Sequence, residues 1–237
     1  MISFVIPAHD EEDHVGAAVA SVRDAAARLG RPFEVLVVND QSTDRTAEVA
    51  CEAGARVVDV AVRQISEARN AGARAASGEL LVFVDADTCV TPEVVRAAVA
   101  AFDAGVVGGG CAVRFDPPVP LYIRCLWPFA LWISRVLKMA AGCYVFARRD
   151  AFDAIGGFDR KMFAGEELAL CRELKKHGRF VVLREHVVTS GRKLRTHSAR
   201  EVLGVLARLL MFGRRGVRSR THLDIWYAPR RNDPARK

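Results

Sequence analysis

Apolar runs that stop abruptly at polar or acidic turns set the first constraint on this chain. Ile2 to Ala8, Phe33 to Val38 and Leu80 to Val84 each end this way, and each leads into a stretch with helical spacing. A strand apolar on both faces belongs in the middle of a sheet that helices cover. With Arg56 to Val60 as a short strand between the second and third runs, four strands alternate with helices in about the first 90 residues. The helices are expected over Glu11 to Leu29, Thr43 to Ala53, Ser66 to Ala76 and Pro92 to Ala104, closed in turn by residues such as Gly30, Gly54 and Gly78. That alternation gives parallel βαβ units with right-handed crossovers. The expected fold class is α/β, a Rossmann-like, mostly parallel sheet flanked by helices. A length of 237 residues fits a single domain with a sizeable core.

In open α/β sheets, ligands bind at the carboxyl ends of the strands. Asp40 follows the second run, and Asp85-Ala86-Asp87 follows the strand at Leu80 to Val84, so these acids fall on the same sheet edge. Two carboxylates one small residue apart can face one hard cation, for which oxygen ligands suit Mg2+ or Mn2+. The structural alternative is that Asp85 caps a turn and Asp87 or Thr88 caps the helix that Pro92 opens. Convergence of several acidic turns on one edge favours the functional reading. The first strand leads into Ala8-His9-Asp10-Glu11, with no G-x-G-x-x-G and no P-loop, so a dinucleotide fingerprint is not expected.

Further strands are expected at Gly105 to Arg114, where Gly108-Gly109-Gly110 permits a close backbone approach, at Gly142 to Arg148, and as two short pieces, Phe180 to Leu183 and Val187 to Thr189. Between them, Val119 to Met139 is rich in aromatic and aliphatic residues and contains Pro128, which breaks or kinks it. This segment reads either as a helix pair packed on the sheet or, with Arg124, Arg135 and Lys138 around Trp127 and Trp132, as an interfacial element. Glu166 and Glu167 open a helix that runs to His177. Acids complement a helix N-terminus, and they also stand where a general base can face a cleft.

The net charge of +7 is unevenly placed. From Arg192 onward there are 13 Lys or Arg against Glu201, Asp224 and Asp233, so the rest of the chain is mildly acidic. A last helix is expected from a cap at Ser198 to Phe212, basic and amphipathic. Such asymmetry points to an anionic partner, a membrane surface or nucleic acid. Mean hydropathy is +0.09, and no uninterrupted apolar run reaches the length of about 18 residues that a membrane span needs. The first residues lack the features of a signal peptide, so a cytoplasmic location is expected. Six scattered cysteines without a C-x-x-C pair argue against a zinc site or a disulfide framework.

Taken as a set, Val5-Ile6-Pro7-Ala8-His9-Asp10-Glu11-Glu12, Val37-Val38-Asn39-Asp40-Gln41-Ser42-Thr43-Asp44, Ala68-Arg69-Asn70-Ala71-Gly72, Phe83-Val84-Asp85-Ala86-Asp87, and Gly156-Gly157-Phe158-Asp159 with Gly165-Glu166-Glu167 resemble the family-two glycosyltransferases of GT-A fold. The order and spacing match over roughly residues 2 to 195. The resemblance implies transfer of a sugar from a nucleotide-diphosphate sugar, with inversion, assisted by Mn2+ or Mg2+. It implies that Pro7, Ala8 and Glu11 border the nucleotide, that Asp40 contacts the base or ribose, and that Arg69 lies near the donor. Asp85 would face the ribose or a metal-bound water, and Asp87 would ligate the metal. Glu167, or else Glu166, would take the proton of the acceptor hydroxyl. Ser190-Gly191-Arg192 is similar to a segment that places a basic group near the diphosphate, and His197 is a candidate third metal ligand, with His186 competing for that role.

Two features depart from the family pattern. The base position commonly reads Glu-Asp, whereas this chain has Glu166-Glu167, and the Q-x-x-R-W motif of processive members is absent, so single transfers are expected. Residues 1–197 form the expected catalytic domain and 198–237 a basic C-terminal helix and tail. The expected partners are a nucleotide-sugar donor, an acceptor that can be lipid-linked, and an anionic membrane surface rather than nucleic acid, which would make the enzyme peripheral on the inner face. Competing classes are a sugar nucleotidyltransferase, disfavoured by the missing Gly-rich triphosphate loop, and a non-catalytic protein that binds a nucleotide or an anionic surface. Loss of metal binding without loss of partner binding on Asp87→Ala would favour the latter.

Overall fold

The computed structural model of the chain describes residues 1–198 together with Glu201 and Gly204. Its first half runs β1 (Ile2–Ala8), α1 (Val15–Ala27), β2 (Phe33–Asp40), α2 (Thr46–Glu52), β3 (Arg56–Val60), α3 (Ile65–Ala75) and β4 (Leu80–Val84). All four strands are parallel, with β1 between β2 and β4, and β3 outside β2. Alternate residues of the central strands enter two cores: Phe4, Ile6, Val82 and Val84 join Val15, Val19 and Val22 of α1, while Val5, Leu81 and Phe83 join Ala68 and Ala73 of α3. Burial on both faces is the physical reason these runs carry no polar alternation.

The second half runs β5 (Thr88–Cys89), α4 (Pro92–Asp103), β6 (Gly108–Phe115), α5 (Leu121–Val136), β7 (Tyr144–Arg148), α6 (Arg149–Ala154), α7 (Glu166–His177), β8 (Phe180–Thr189) and α8 (Arg192–Thr196). Eight strands form one sheet in the order β3-β2-β1-β4-β7-β6-β8-β5. Strand β7 is antiparallel to both β4 and β6, β6 is parallel to β8, and β5 is antiparallel to β8. Asp85-Ala86-Asp87 therefore connects a central strand to the sheet edge. Four strand spacings in a flat sheet span about 19 Å, whereas the four peptide steps from Val84 to Thr88 reach at most about 14 Å. The sheet must curl, and it thereby brings the end of β8 to the end of β4.

Several local expectations are corrected. Strand β8 is continuous: Gly110 pairs with Val182 and Ala112 with His186, so an irregularity at residues 183–185 replaces the anticipated break. The helix at Pro92 is capped by neither Asp87 nor Thr88 but by Thr91, whose Oγ1 accepts from Val94 N at 3.3 Å. A Cβ on Gly109 would lie 2.5 Å from both Phe146 Cζ and the Val181 carbonyl oxygen, so the close approach expected of the triple glycine is present.

Neither does the segment before β7 form a helix pair on the sheet. Helix α5 passes through Pro128 unbroken, and none of its residues is buried. Trp127 Nε1 donates to the Val113 carbonyl at 2.7 Å, and its ring lies 4.7 Å from that of Phe115. Trp132, five residues on, is exposed. Among the described residues no helix is long and apolar enough to cross a membrane. Ser198 Oγ accepts from Glu201 N while Glu201 Oε2 accepts from Ser198 N, the reciprocal pair of a capping box. The rest of the anticipated C-terminal helix and tail lies outside the described residues.

Candidate active site

Parallel register puts Ala8 beside Asn39 and Val5 beside Phe83, so the turns after β1, β2 and β4 share one edge. Pro7 and Ala8 are buried at the end of β1. The first two turns are fastened together by local polar groups: Asp10 Oδ1 accepts from Thr43 N at 2.7 Å, Glu11 N donates to Thr46 Oγ1 at 2.7 Å, and Glu12 N donates to Asp44 Oδ2 at 3.1 Å. Asp40 is buried, and its carboxylate accepts from the backbone amides of Val62, Arg63 and Gln64 at 2.8–3.1 Å. Those bonds anchor the chain just before α3. This is a positioning role that the sequence pattern did not reveal.

Arg69 organises the centre. Its side chain is 1% exposed, and it reaches two carboxylates at once: Nη1 donates to Glu166 Oε1 and Nη2 to Asp85 Oδ1, each at 2.7 Å. Nη2 also donates to the Gly142 carbonyl at 2.8 Å. The guanidinium lies 5.2 Å from the centre of the Phe158 ring, within a cluster that includes Phe83 and Phe152. Burial alone would lower its pKa, but Asp85, Glu166 and Glu167 outweigh that and raise it, so the charge is permanent. The next residue, Asn70, clamps the turn that carries Phe158: Oδ1 accepts from Phe158 N at 2.9 Å and Nδ2 donates to Phe158 O at 3.0 Å. Gly157 must adopt φ +76, and a Cβ there would meet Asn70 Oδ1 at 2.5 Å. Arg69-Asn70 and Gly156-Gly157-Phe158 thus belong to one construction.

Glu166 is buried and committed to Arg69, whereas its neighbour Glu167 faces Gly142, where an added Cβ would lie 3.3 Å from Glu167 Cδ. Burial, and then the charge of Glu166, push the Glu167 carboxyl up to about 8, against the smaller opposing effect of Arg69. Of the two acids at the start of α7, Glu167 is the one whose environment suits proton transfer near neutral pH.

On the other side of Asp85 stands a looser group. Arg192, on α8, lies 3.1 Å from Glu11 Oε1 and 4.0 Å from Asp87 Oδ2, all three side chains being 11–14% exposed. The Asp87 backbone carbonyl accepts from Ser190 N at 3.0 Å, which ties the end of β8 to this turn. Thr189 Oγ1 approaches Asp87 Oδ1 at 3.4 Å. The Asp87 pKa is raised by burial and by the nearby charges of Glu11 and Asp85, while Lys193 and Arg192 counteract in part. Lys193 and Gly142 are members of the site that the sequence reading missed, because a basic run and a lone glycine carry no signal of their own.

His197 stands next to Lys193, its Nδ1 3.1 Å from the Lys193 carbonyl oxygen. His186 sits on β8, paired with Ala112. Among the described residues no three His, Cys, Asp or Glu side chains gather as a ligand set. The donors nonetheless fit a hard cation. Asp87 is an incompletely neutralised carboxylate, and Asp85 has one oxygen on Arg69 and a second oxygen not engaged by it, so two carboxylates remain to share an ion whose other ligands come from substrate or water.

A curled, mostly parallel sheet with paired aspartates at the end of a central strand is the GT-A architecture. Residues 3–156, well over half of the chain, match the family described as Glycosyl transferase family 2, and the chain belongs to that family. It is 34% identical over 116 residues to an undecaprenyl-phosphate 4-deoxy-4-formamido-L-arabinose transferase of Edwardsiella ictaluri, which is 45% of this chain and 36% of that one. The match thus spans little more than a third of the length of that curated relative. The fold is similar to that of the mannosyltransferase PcManGT from Pyrobaculum calidifontis in complex with GDP-Man and Mn2+, with a TM-score of 0.67, 18% identity, and coverage of 87% of this chain and 60% of that one. It is also similar to glucosyl-3-phosphoglycerate synthase from Mycobacterium tuberculosis in complex with Mn2+, UDP and glucosyl-3-phosphoglycerate, with a TM-score of 0.60, 22% identity, and coverage of 92% and 80%.

Proposed function

We propose that this chain is an inverting glycosyltransferase that moves a sugar from a nucleotide-diphosphate sugar to an acceptor hydroxyl. The observation that carries the reading is the Arg69 bridge, which holds Asp85 on the donor side and Glu166, the neighbour of Glu167, on the two terminal nitrogens of one buried guanidinium. Glu167 takes the acceptor proton as the oxygen forms its bond to the anomeric carbon. The bond from that carbon to the diphosphate breaks on the opposite face, so one displacement inverts the centre. Arg192 and Lys193, beside Asp87, draw the departing diphosphate. A divalent ion, Mn2+ or Mg2+, held by Asp87 and Asp85 would neutralise charge on the leaving group. Pro7, Ala8 and Glu11 line the same edge and border the nucleotide in this reading.

The acceptor hydroxyl is taken to be carried on a lipid-linked group, on the support of the relative named for undecaprenyl phosphate; an attacking lipid phosphate oxygen would already be ionised and would leave Glu167 no proton to take. The excess of cations from Arg192 onward then suits a peripheral position on the inner face of an anionic membrane. A thermal-shift panel of UDP-, GDP- and dTDP-sugars, with and without Mn2+, tests the donor half. One nucleotide sugar is expected to raise the melting temperature by several degrees only with Mn2+, and Asp87→Ala to abolish the shift. A donor shift that is the same in Asp87→Ala, or none with any donor, would sink the reading.

A further inference from the structure

Helix α5 has no buried residue, although Trp127 on it packs against the core. Leu121, Phe129, Trp132 and Val136 are 58–72% exposed, and with the exposed Cys125 they fall at helical spacing along one stripe. Phe129 and Trp132 stack on each other in solvent, their ring centroids 5.8 Å apart. Leu126 and Leu137, also more than half exposed, widen the face. Monomeric proteins rarely expose a contiguous apolar face of this kind without a partner for it.

Charge and length identify the partner. Arg124 and Arg135 border the stripe, Lys138 follows it, and from Pro117 through Arg149 the sequence holds no Asp or Glu. This segment offers cations alone, which complement a surface of phosphates. The helix has 16 residues, about 24 Å, and it is not apolar all round, so it fits the plane of a bilayer and not its thickness. Trp127 faces the other way and fastens the helix to Val113 and Phe115, which leaves the apolar stripe outward.

We propose that α5 lies flat in the surface of an anionic bilayer, with Leu121, Phe129, Trp132 and Val136 at the acyl boundary and Arg124, Arg135 and Lys138 among the headgroup phosphates. The inference goes beyond attachment through C-terminal charge, and it does not depend on what the acceptor is. It also places the site: six residues after Val136 comes Gly142, whose carbonyl accepts from Arg69 and whose Cα faces Glu167. The acceptor side of the active centre then opens next to the lipid surface.

The test is sedimentation of the full chain with vesicles of phosphatidylcholine alone and of phosphatidylcholine with phosphatidylglycerol, at low and high salt. Wild type is expected to pellet with the anionic vesicles and to retain part of that binding in high salt, because apolar insertion is not screened. The double variant Phe129→Glu/Trp132→Glu is expected to lose about tenfold or more in partitioning, with its unfolding midpoint unchanged. Binding by the variant as strong as wild type would assign the membrane contact to the C-terminal charges and overturn the proposal. So would a wild-type dimer that the variant dissociates, which would make a second copy the occupant. A melting temperature lowered by several degrees in the variant would show instead that the chain's own residues cover the face.

Discussion

The two sides of the active centre both pair arginine with carboxylates, and they do so in opposite ways. Arg69 is buried, bidentate across two acids at 2.7 Å, and backed by aromatic rings. Arg192 is partly exposed and stands 3.1 Å from Glu11 and 4.0 Å from Asp87. The first arrangement fixes both terminal nitrogens at short distance; in the second, burial keeps the Asp87 pKa raised and Lys193 and Arg192 offset it only in part. A fixed strut and an exchangeable counter-charge are what a site needs if the reacting geometry is to stay put while an anionic, cation-bearing substrate comes and goes.

The sharpest way to break that comparison is to remove each arginine. Arg69→Ala leaves the buried Glu166 and the partly exposed Asp85 without their shared cation and is expected to cost about 3–5 kcal/mol of stability by urea unfolding, with transfer lost. Glu167→Gln comes next, with transfer slowed about 100- to 10,000-fold if Glu167 is the base. Its pH signature has a definite sign. The folded state holds the Glu167 proton up to about 8, above the unfolded value of 4.5, so the native state binds more protons in that window. The stability from this group is full below 4.5 and is lost as pH rises through about 8. Wild type should lose melting temperature from pH 6 to 9, the Gln variant less so, and a parallel fall in both would remove Glu167 from the account. Arg192→Ala is expected to cost folding less than Arg69→Ala, because Arg192 makes longer contacts and is less buried, while the KM for donor rises; a cost equal to that of Arg69→Ala would erase the distinction between strut and counter-charge.

What the sequence made legible follows burial. Strands β1, β2 and β4 announce themselves because both faces enter cores, and Asp85 and Asp87 stand out because carboxylates end such a run. Strand β5 is two residues long and has no periodicity to detect. Strand β8 reads as two pieces because Arg184, Glu185 and His186 interrupt its apolar pattern where the ladder is irregular. Helix α8 looks like the beginning of a basic tail, since what seats Arg192 beside Asp87 is the curl of the sheet and not any local preference. Trp127 and Trp132 are equivalent in a composition argument; only packing shows that one holds the helix down and the other is left in solvent. Asp40 illustrates the reverse: its place at the ligand-binding edge was legible, but its use as an acceptor for three amides depends on where residues 62–64 pass.

The link from β4 to β5 has a mechanical consequence. Asp85-Ala86-Asp87 is the hoop that closes the sheet, and its reach is fixed by bond lengths. The link is a turn closed on itself, Thr88 N donating to the Asp85 carbonyl at 3.0 Å, so the spacing of the two aspartates is set by the same turn that brings the sheet edge inward and carries Ser190 to Arg192 with it. One residue added between them would break that turn, and the carboxylates, the end of β8 that Ser190 N ties to Asp87 and the basic turn beyond it would lose their alignment together, with every side chain of the site still present.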